Sequence, residues 1–178
     1  MAKKVLILSG SPRKNGNSNA LCKEFLRGVT DSGNVGEIIN VSEKNIGYCR
    51  ACYACKETGV CAINDDMAEI LEKMIECDVL VLASPVYFYS IDAQLKALID
   101  RTVVRWTEVK DKELYYIVTM ADEELSSADT TLACFRGYAD CIEGAKECGV
   151  VIGNGVYTPG EINGHPATEK AYLMGLRI

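Results

Sequence analysis

Four cysteines occur within thirteen residues of one segment, YCRACYACKETGVC, at the spacing C-x2-C-x2-C-x5-C. They are Cys49, Cys52, Cys55 and Cys61. The first three match the spacing with which bacterial ferredoxins supply three ligands to one [4Fe–4S] cluster. Gly59 precedes the fourth and lets the chain turn back, because glycine adopts backbone conformations closed to other residues. The spacing therefore makes these four thiolates candidate ligands of one [4Fe–4S] cluster.

Three other roles for the four cysteines stay open from the sequence. Zinc also accepts four thiolates, but zinc sites typically pair two C-x2-C units across a longer stretch. A disulfide can form in air but seldom persists in a reducing compartment. The segment can also carry plain thiols and no metal. The chain has nine cysteines, an odd number, so complete pairing within one chain is excluded.

The other five cysteines are predicted to be core residues. Cys134, Cys141 and Cys148 recur every seven residues along one predicted helix, which would stack them on one face. A free cysteine in such a position behaves as a small buried hydrophobe. Cys22 and Cys77 receive the same interpretation.

Two further segments carry complementary binding chemistry. The first, GSPRKNGNSN (10–19), is small and polar, and it runs into a predicted helix whose N-terminal N–H groups favour an anion. The second, SPVYFYS (84–90), offers three aromatic side chains as flat surfaces for a planar ring. The glycine spacing fits neither the Walker A motif nor the dinucleotide motif G-x-G-x-x-G. The pair of segments favours a monophosphate attached to an aromatic ring.

Buried apolar runs alternate with helical periods along the chain. Strands are predicted at Lys4–Ser9, Glu37–Val41, Asp78–Ala83, Leu114–Met120 and Val150–Val156. Helices are predicted at Ala20–Val29, Asp66–Cys77, Ile91–Arg105 and Ser127–Cys148, with a last short one from Pro166. Asp66 and Glu69 have capping-box spacing. The sole histidine, His165, is predicted to start the last helix rather than to act as a catalytic base.

Five strands joined by helices predict an α/β fold with a doubly wound parallel sheet in the flavodoxin-like order 2-1-3-4-5. One domain spans residues 1–178, with a cysteine-rich insertion after strand two at about 43–64. In such a sheet a ligand lies beyond the carboxyl ends of the strands, at the switch point between strands one and three. The polar and aromatic segments both follow those two strands, so we expect them to form one site.

The composition excludes several classes of partner. The net charge is −6 and the pI is about 4.9, which disfavours nucleic acid and anionic membranes as partners. No apolar run approaches the ~20 residues of a membrane span. The N-terminus becomes polar too soon for a signal peptide. We therefore expect a cytoplasmic protein.

The segments KVLILSGSPRKNGNSNAL, CxxCxxC with DDM, and SPVYFYSIDAQLKALIDR resemble the NADPH-dependent FMN reductase and iron–sulfur flavoprotein branch of the flavodoxin-like superfamily. The resemblance is strongest over residues 3–20 and 49–105. It implies FMN as a cofactor and a homodimer or homotetramer with the flavin near the subunit interface. It also implies a compact four-cysteine motif that serves one [4Fe–4S] cluster.

The resemblance also implies which residues bind FMN. The phosphate would be held by Ser11, Arg13, Asn17, Ser18 and Asn19, and the isoalloxazine ring would be lined by Pro85, Val86, Tyr87 and Phe88. Thr119 and Met120 are further candidates at the end of strand four. Many relatives have a Gly-rich loop there, whereas this chain has TMADEE, with three acids. Those acids would lower the reduction potential of a flavin that becomes anionic on reduction.

The predicted activity is that of an FMN-dependent oxidoreductase that passes electrons from NAD(P)H to an unidentified acceptor. No catalytic acid or base is required, because the cofactor carries the chemistry. A cluster would relay single electrons between the flavin and an external carrier. Two alternatives remain: a non-enzymatic electron carrier like flavodoxin, reduced by a ferredoxin-type donor, and a thiol-based redox sensor.

Overall fold

Five parallel strands form one sheet in the order β2-β1-β3-β4-β5 in a computed structural model that describes residues 2–178. The strands are β1 (Lys4–Ser9), β2 (Val35–Asn40), β3 (Val79–Pro85), β4 (Glu113–Thr119) and β5 (Lys146–Gly153). Ile7 of β1 lies opposite Ile38 of β2 and Val81 of β3, so the first three strands share one register. The predicted flavodoxin-like order is confirmed.

Helices cover both faces of the sheet, because successive strand residues point to opposite faces. They are α1 (Asn17–Asp31), α2 (Ala54–Thr58), α3 (Met67–Glu76), α4 (Ala93–Arg101), α5 (Asp129–Ala139) and α6 (Pro166–Leu176). Helices α1 and α6 pack on the face that carries Val5 and Ile7. Helices α3, α4 and α5 pack on the face that carries Leu6 and Leu8. Strand β1 is therefore buried on both faces, as its continuous apolar run predicts.

Helices α1 and α6 touch backbone to backbone through two glycines. A β-carbon built on Gly28 would lie 2.1 Å from the carbonyl oxygen of Tyr172. One built on Gly175 would lie 2.1 Å from the carbonyl oxygen of Phe25. Only glycine fits at this contact. The position of α1, and of its N-terminus, consequently depends on α6.

The predicted long helix Ser127–Cys148 is wrong. Helix α5 ends at Ala139, a turn at Gly144 has a φ of +72°, and β5 already begins at Lys146. Cys141 lies in that turn and Cys148 lies on β5, and both are exposed. The stacked cysteine face does not exist, because its seven-residue spacing continues past the end of the helix.

The remaining sequence predictions of cysteine burial and helix ends have mixed outcomes. Cys22 and Cys77 are buried in the core, as predicted. The capping box of Asp66 is wrong, because the Asp66 side chain makes no cap hydrogen bond and its carboxylate instead accepts from the Asn45 N–H at 2.8 Å. The first N–H of α3, that of Met67, donates to the Asp65 carboxylate at 3.2 Å. His165 does start α6, where its Nδ1 accepts from the Ala167 N–H at 3.1 Å.

The predicted helix Ile91–Arg105 is shorter than expected. Helix α4 ends at Arg101, and two short 3-10 turns follow, Thr102–Val104 and Trp106–Glu108. Within residues 2–178, no helix has the length and apolar character needed to cross a membrane.

Candidate functional site

The carboxyl ends of β1, β3 and β4 surround a cavity of about 140 Å3, hereafter the switch-point cavity. Nine of the predicted cofactor-binding residues line it: Ser11, Arg13, Asn17, Ser18, Pro85, Val86, Tyr87, Thr119 and Met120. The polar segment after β1 and the aromatic segment after β3 thus meet, as the topology predicts. Val156 and Tyr157, which follow β5, also line the cavity and were not predicted.

The N-terminus of α1 is built to receive an anion. The helix begins after Gly16, no side chain caps it, and its first turn carries no acidic residue. The first N–H groups of a helix lack partners within the helix and carry a partial positive charge. Arg13 adds a full positive charge beside them. This end of the cavity therefore suits a phosphate.

Arg13 is engaged with the segment after β5. Its Nη1 donates to the Tyr157 carbonyl oxygen at 2.7 Å, and its guanidinium lies 5.5 Å from the centre of the Tyr157 ring. Asn17 donates to the Thr158 carbonyl oxygen at 3.1 Å and accepts from the Gly160 N–H at 3.1 Å. Residues 157–160 are thereby held against the start of α1.

Helix α1 is also joined to β4 beneath the cavity. The hydroxyls of Ser18 and Thr119 are 2.6 Å apart, and both side chains are buried. The N–H of Met120, the residue after Thr119, donates to the Gly153 carbonyl oxygen at 2.9 Å. The end of β4 is therefore fixed, and Thr119, Met120 and Ala121 lie at the cavity wall.

Asn19 and Phe88 lie outside the cavity lining. The Asn19 side chain is buried, accepts from the Ser9 hydroxyl at 2.5 Å and donates to the Arg13 carbonyl oxygen at 3.0 Å. It shapes the loop after β1 from within. Phe88 sits fully exposed at the tip of a turn, with a φ of +49°. Tyr87 and Ser90 close that turn with two backbone hydrogen bonds.

Asp92 closes the loop after β3 and packs against Gly10 of the loop after β1, a role that sequence reasoning missed. Its buried carboxylate accepts from the Ser84 hydroxyl at 2.7 Å and from the Leu95 N–H at 2.9 Å, which caps α4. Burial raises the pKa of Asp92. A β-carbon on Gly10 would lie 2.1 Å from Asp92 Oδ2, so the first loop requires glycine there. The sequence did carry a signal for the capping role of Asp92, because an aspartate directly before a helical period is a preferred helix N-cap.

All four motif cysteines line a second cavity, of about 410 Å3, hereafter the cysteine cavity. Cys49 and Cys52 are exposed, whereas Cys55 and Cys61 are half-buried. The Sγ of Cys61 accepts from the Ile63 N–H at 3.5 Å. Residues 2–178 contain no group of three or more His, Cys, Asp or Glu side chains already gathered around a metal position. The donor set fits an iron–sulfur cluster in number and type, although the thiols are not drawn together.

A family model described as NADPH-dependent FMN reductase matches residues 3–136 of the chain. An iron–sulfur flavoprotein of Methanocaldococcus jannaschii is 46% identical over 99 residues, which cover 56% of this chain and 51% of that protein. An iron–sulfur flavoprotein of Methanosarcina thermophila is 40% identical over 101 residues, which cover 57% and 53%. The match therefore spans about half the length of these curated relatives.

Among solved structures, an azoreductase from Bacillus anthracis superposes with a TM-score of 0.78 over the whole of both chains, at 16% sequence identity. An NAD(P)H:quinone oxidoreductase from Methanothermobacter marburgensis superposes with a TM-score of 0.73 at 17% identity, over 99% of this chain and 97% of that one. At such low identity these structures establish the fold alone.

Proposed function

The chain belongs to the NADPH-dependent FMN reductase family, and we propose on that premise that it is an FMN-dependent oxidoreductase that takes electrons from NAD(P)H. The observation that carries the proposal is the switch-point cavity, where an uncapped helix N-terminus and Arg13 face an aromatic segment across one space. This pairing suits a phosphate joined to a planar ring. A single side-chain acid or base is not needed, because the flavin when bound accepts hydride and passes on electrons.

The residues divide into two groups by the part of FMN that they contact. The phosphate would be held at the start of α1 by the free N–H groups, the Ser11 and Ser18 hydroxyls and the Arg13 guanidinium. The ring would be held by Pro85, Val86 and Tyr87, with Thr119 and Met120 from β4. The cavity of about 140 Å3 is smaller than the roughly 300–1,000 Å3 of typical ligand pockets. Only Nη1 of Arg13 donates to the Tyr157 carbonyl oxygen, so other N–H groups of the guanidinium remain for the phosphate.

Two predicted residues support the site from outside the lining. Asn19 holds the loop after β1 in shape through the Ser9 hydroxyl and the Arg13 carbonyl. Phe88 stands exposed at the aromatic turn, where it can cover the ring of a nicotinamide or contact a second subunit. We propose a homodimer or homotetramer on this surface, which light scattering of the purified protein tests directly.

The acids after β4 tune the site electrostatically. Asp122 accepts from the Ser127 hydroxyl at 2.6 Å, and this hydrogen bond lowers its pKa, so the carboxylate stays charged at neutral pH. Glu123 and Glu124 are exposed beside it. Negative charge here opposes negative charge on the ring. These residues are expected to make the flavin harder to reduce.

We also propose that Cys49, Cys52, Cys55 and Cys61 hold one [4Fe–4S] cluster. Their common cavity, their spacing and the names of the two matched relatives support this assignment. Such a cluster supplies one-electron transfer. Its exposed side, at Cys49 and Cys52, is the natural exit for electrons to an external acceptor.

The test uses protein purified without oxygen. FMN-free protein is titrated with FMN while flavin fluorescence is followed, and NADPH, NADH or reduced ferredoxin is then added to the complex. Flavin bleaching by a nicotinamide supports the reductase. Bleaching by ferredoxin alone supports the electron carrier instead, and absence of FMN binding contradicts both.

The cluster proposal has its own pair of variants. Cys52→Ser/Cys55→Ser should lose iron and sulfide while FMN binding stays at the wild-type level. Cys141→Ser, an exposed cysteine outside the motif, is the matched control and should keep both. Equal iron content in the two variants would contradict the assignment of the ligands.

A further inference from the structure

A buried ion pair closes the base of the cysteine segment. The Arg101 guanidinium and the Asp65 carboxylate form two hydrogen bonds, of 2.7 and 3.0 Å, and their side chains are 1% and 3% exposed. Arg101 also donates to the carbonyl oxygens of Gly47 at 2.7 Å and Ile63 at 3.4 Å. Asp65 accepts from the Gly47 N–H at 2.8 Å. One pair thus fixes both ends of the loop that carries the four cysteines.

Arg101 retains one unused donor. Its Nε is buried and has no hydrogen-bond partner in the described part of the chain, residues 2–178. A buried N–H without an acceptor is unfavourable, and the positive charge on this group increases the penalty. The geometry that satisfies Asp65 therefore leaves a donor for a further group.

Among the motif cysteines, Cys61 neighbours the Arg101 guanidinium. Cys61 and Arg101 line the same two cavities, one of them the cysteine cavity. Hydrogen bonds that Arg101 donates to Asp65 raise the pKa of Arg101, and the neighbouring Cys61 adds to the rise. The Cys61 Sγ also accepts from the Ile63 N–H. This sulfur thus has one backbone donor and a neighbouring guanidinium, as suits an anionic sulfur ligand.

We propose that Arg101 is a positioning residue for the cluster, whose guanidinium supplies positive charge and the Nε–H donor to the sulfur of Cys61. The inference rests on the proposed function, because it assigns a partner to one ligand of the proposed cluster. Asp65 holds the guanidinium in place by its two hydrogen bonds. Arg101 does not touch the flavin site, since it is absent from the switch-point cavity.

The expected consequence is a higher reduction potential. Net charge and hydrogen bonds to the sulfurs set the potential of an iron–sulfur cluster. Reduction adds negative charge to the cluster, and a fixed cation with an N–H donor at Cys61 stabilises that charge. Removing either contribution should lower the midpoint potential, whereas a purely structural clamp would leave the potential unchanged.

Two variants separate the contributions. Arg101→Lys keeps a cation beside Asp65 but removes the planar fork and its Nε–H. Arg101→Met/Asp65→Asn removes both charges, and the Asn oxygen still accepts from the Gly47 N–H, so no unpaired charge is left buried. Arg136→Gln breaks a two-bond arginine–carboxylate pair with Glu147, far in sequence from the four motif cysteines, and serves as the matched control.

Iron, sulfide and FMN are counted in each protein purified without oxygen, and cluster midpoint potentials are measured by redox titration with electron paramagnetic resonance. We expect wild-type iron content with a lowered potential in Arg101→Lys. We expect a lowered potential also in the double variant, where the loss of the Asp65 charge offsets part of the loss of the Arg101 charge, and no change in Arg136→Gln. An unchanged potential in both Arg101 variants overturns the inference. Loss of iron in both variants, with FMN binding retained, also overturns the inference, because Arg101 would then have only the structural role of holding the cysteine segment. Wild-type protein without iron refutes the cluster proposal itself.

Discussion

The contact between α1 and α6 provides a stability test with an internal control. At Gly175 an added β-carbon would lie 2.1 Å from the Phe25 carbonyl oxygen, against the 3.4 Å at which ordinary contact begins. The obstacle is the backbone of α1 rather than a flexible side chain, so α1 and α6 must move apart in Gly175→Ala. Overpacking of this kind costs about 1–3 kcal/mol. On helix α5, by contrast, a β-carbon on exposed Gly137 meets nothing within 4 Å.

The two substitutions should therefore have opposite signs. Gly137→Ala should stabilise the protein by roughly 0.5–1 kcal/mol, because alanine loses less conformational freedom than glycine in a helix. Urea unfolding of FMN-free protein gives both free energies of unfolding, provided that the m-value is unchanged. For a chain of this size the decrease in Gly175→Ala corresponds to a melting temperature lower by about 2–12 °C. Stabilisation by both substitutions, or by Gly175→Ala alone, would refute the reasoning.

Gly175→Ala should also weaken FMN binding, because α1 carries the proposed phosphate site at its N-terminus. Gly137→Ala should leave the dissociation constant unchanged. Fluorescence titration of both variants with FMN measures this difference. Destabilisation of Gly175→Ala without any loss of FMN affinity would show that α1 keeps its place despite the strain.

Three further predictions concern single contacts. Arg13→Gln removes a charge-assisted contact worth about 1.5–3 kcal/mol and should weaken FMN binding by roughly 10- to 100-fold in the fluorescence titration; Arg27→Gln, which removes an arginine from another tyrosine ring, should not. Ser18→Ala leaves the buried Thr119 hydroxyl without its partner and should cost about 1 kcal/mol in urea unfolding, and adding Thr119→Val should recover part of that loss. Burial opposes ionisation of Asp65, but hydrogen bonds from a buried arginine and two backbone N–H groups outweigh it and lower the pKa. Its contribution to stability is therefore present above the unfolded-state pKa of about 3.9 and is lost as pH falls below it. Unfolding free energies measured between neutral pH and about pH 3 should decrease more steeply for the wild type than for Asp65→Asn.

The sheet could be predicted because its determinants are local. Continuous apolar runs such as Val79–Ala83 mark strands that are buried on both faces, and the connecting helices then leave few topologies. The end of α5 could not be predicted in this way. The cysteine spacing mimics a helical period beyond Ala139, and the turn at Gly144 takes its place because the chain must enter β5.

The candidate site could be predicted as far as it depends on strand ends. Ser11 and Tyr87 follow neighbouring strands, so the topology alone brings them to one edge. Tyr157 reaches the same cavity from a segment more than 140 residues away, and only the packing of that segment on Asn17 reveals it. The distinction between Asn19, which supports the loop, and its cavity-lining neighbours likewise depends on side-chain direction.

The cysteine segment shows the same limit. The C-x2-C-x2-C-x5-C spacing predicts that one space is shared by four thiols, and the cysteine cavity has that lining. The spacing carries no information about Arg101, which lies on α4 and is buried. Its pairing with Asp65 across 36 residues is visible only in three dimensions.

The most direct test of the central claim is a count of FMN and iron in one sample purified without oxygen, followed by addition of NADPH under the same atmosphere. We expect one FMN and about four irons per chain, and we expect NADPH to bleach the flavin absorbance. FMN without iron would support the proposed oxidoreductase and would contradict the proposed [4Fe–4S] cluster. A protein that contains no flavin and binds none when FMN is added would contradict the assignment of the switch-point cavity.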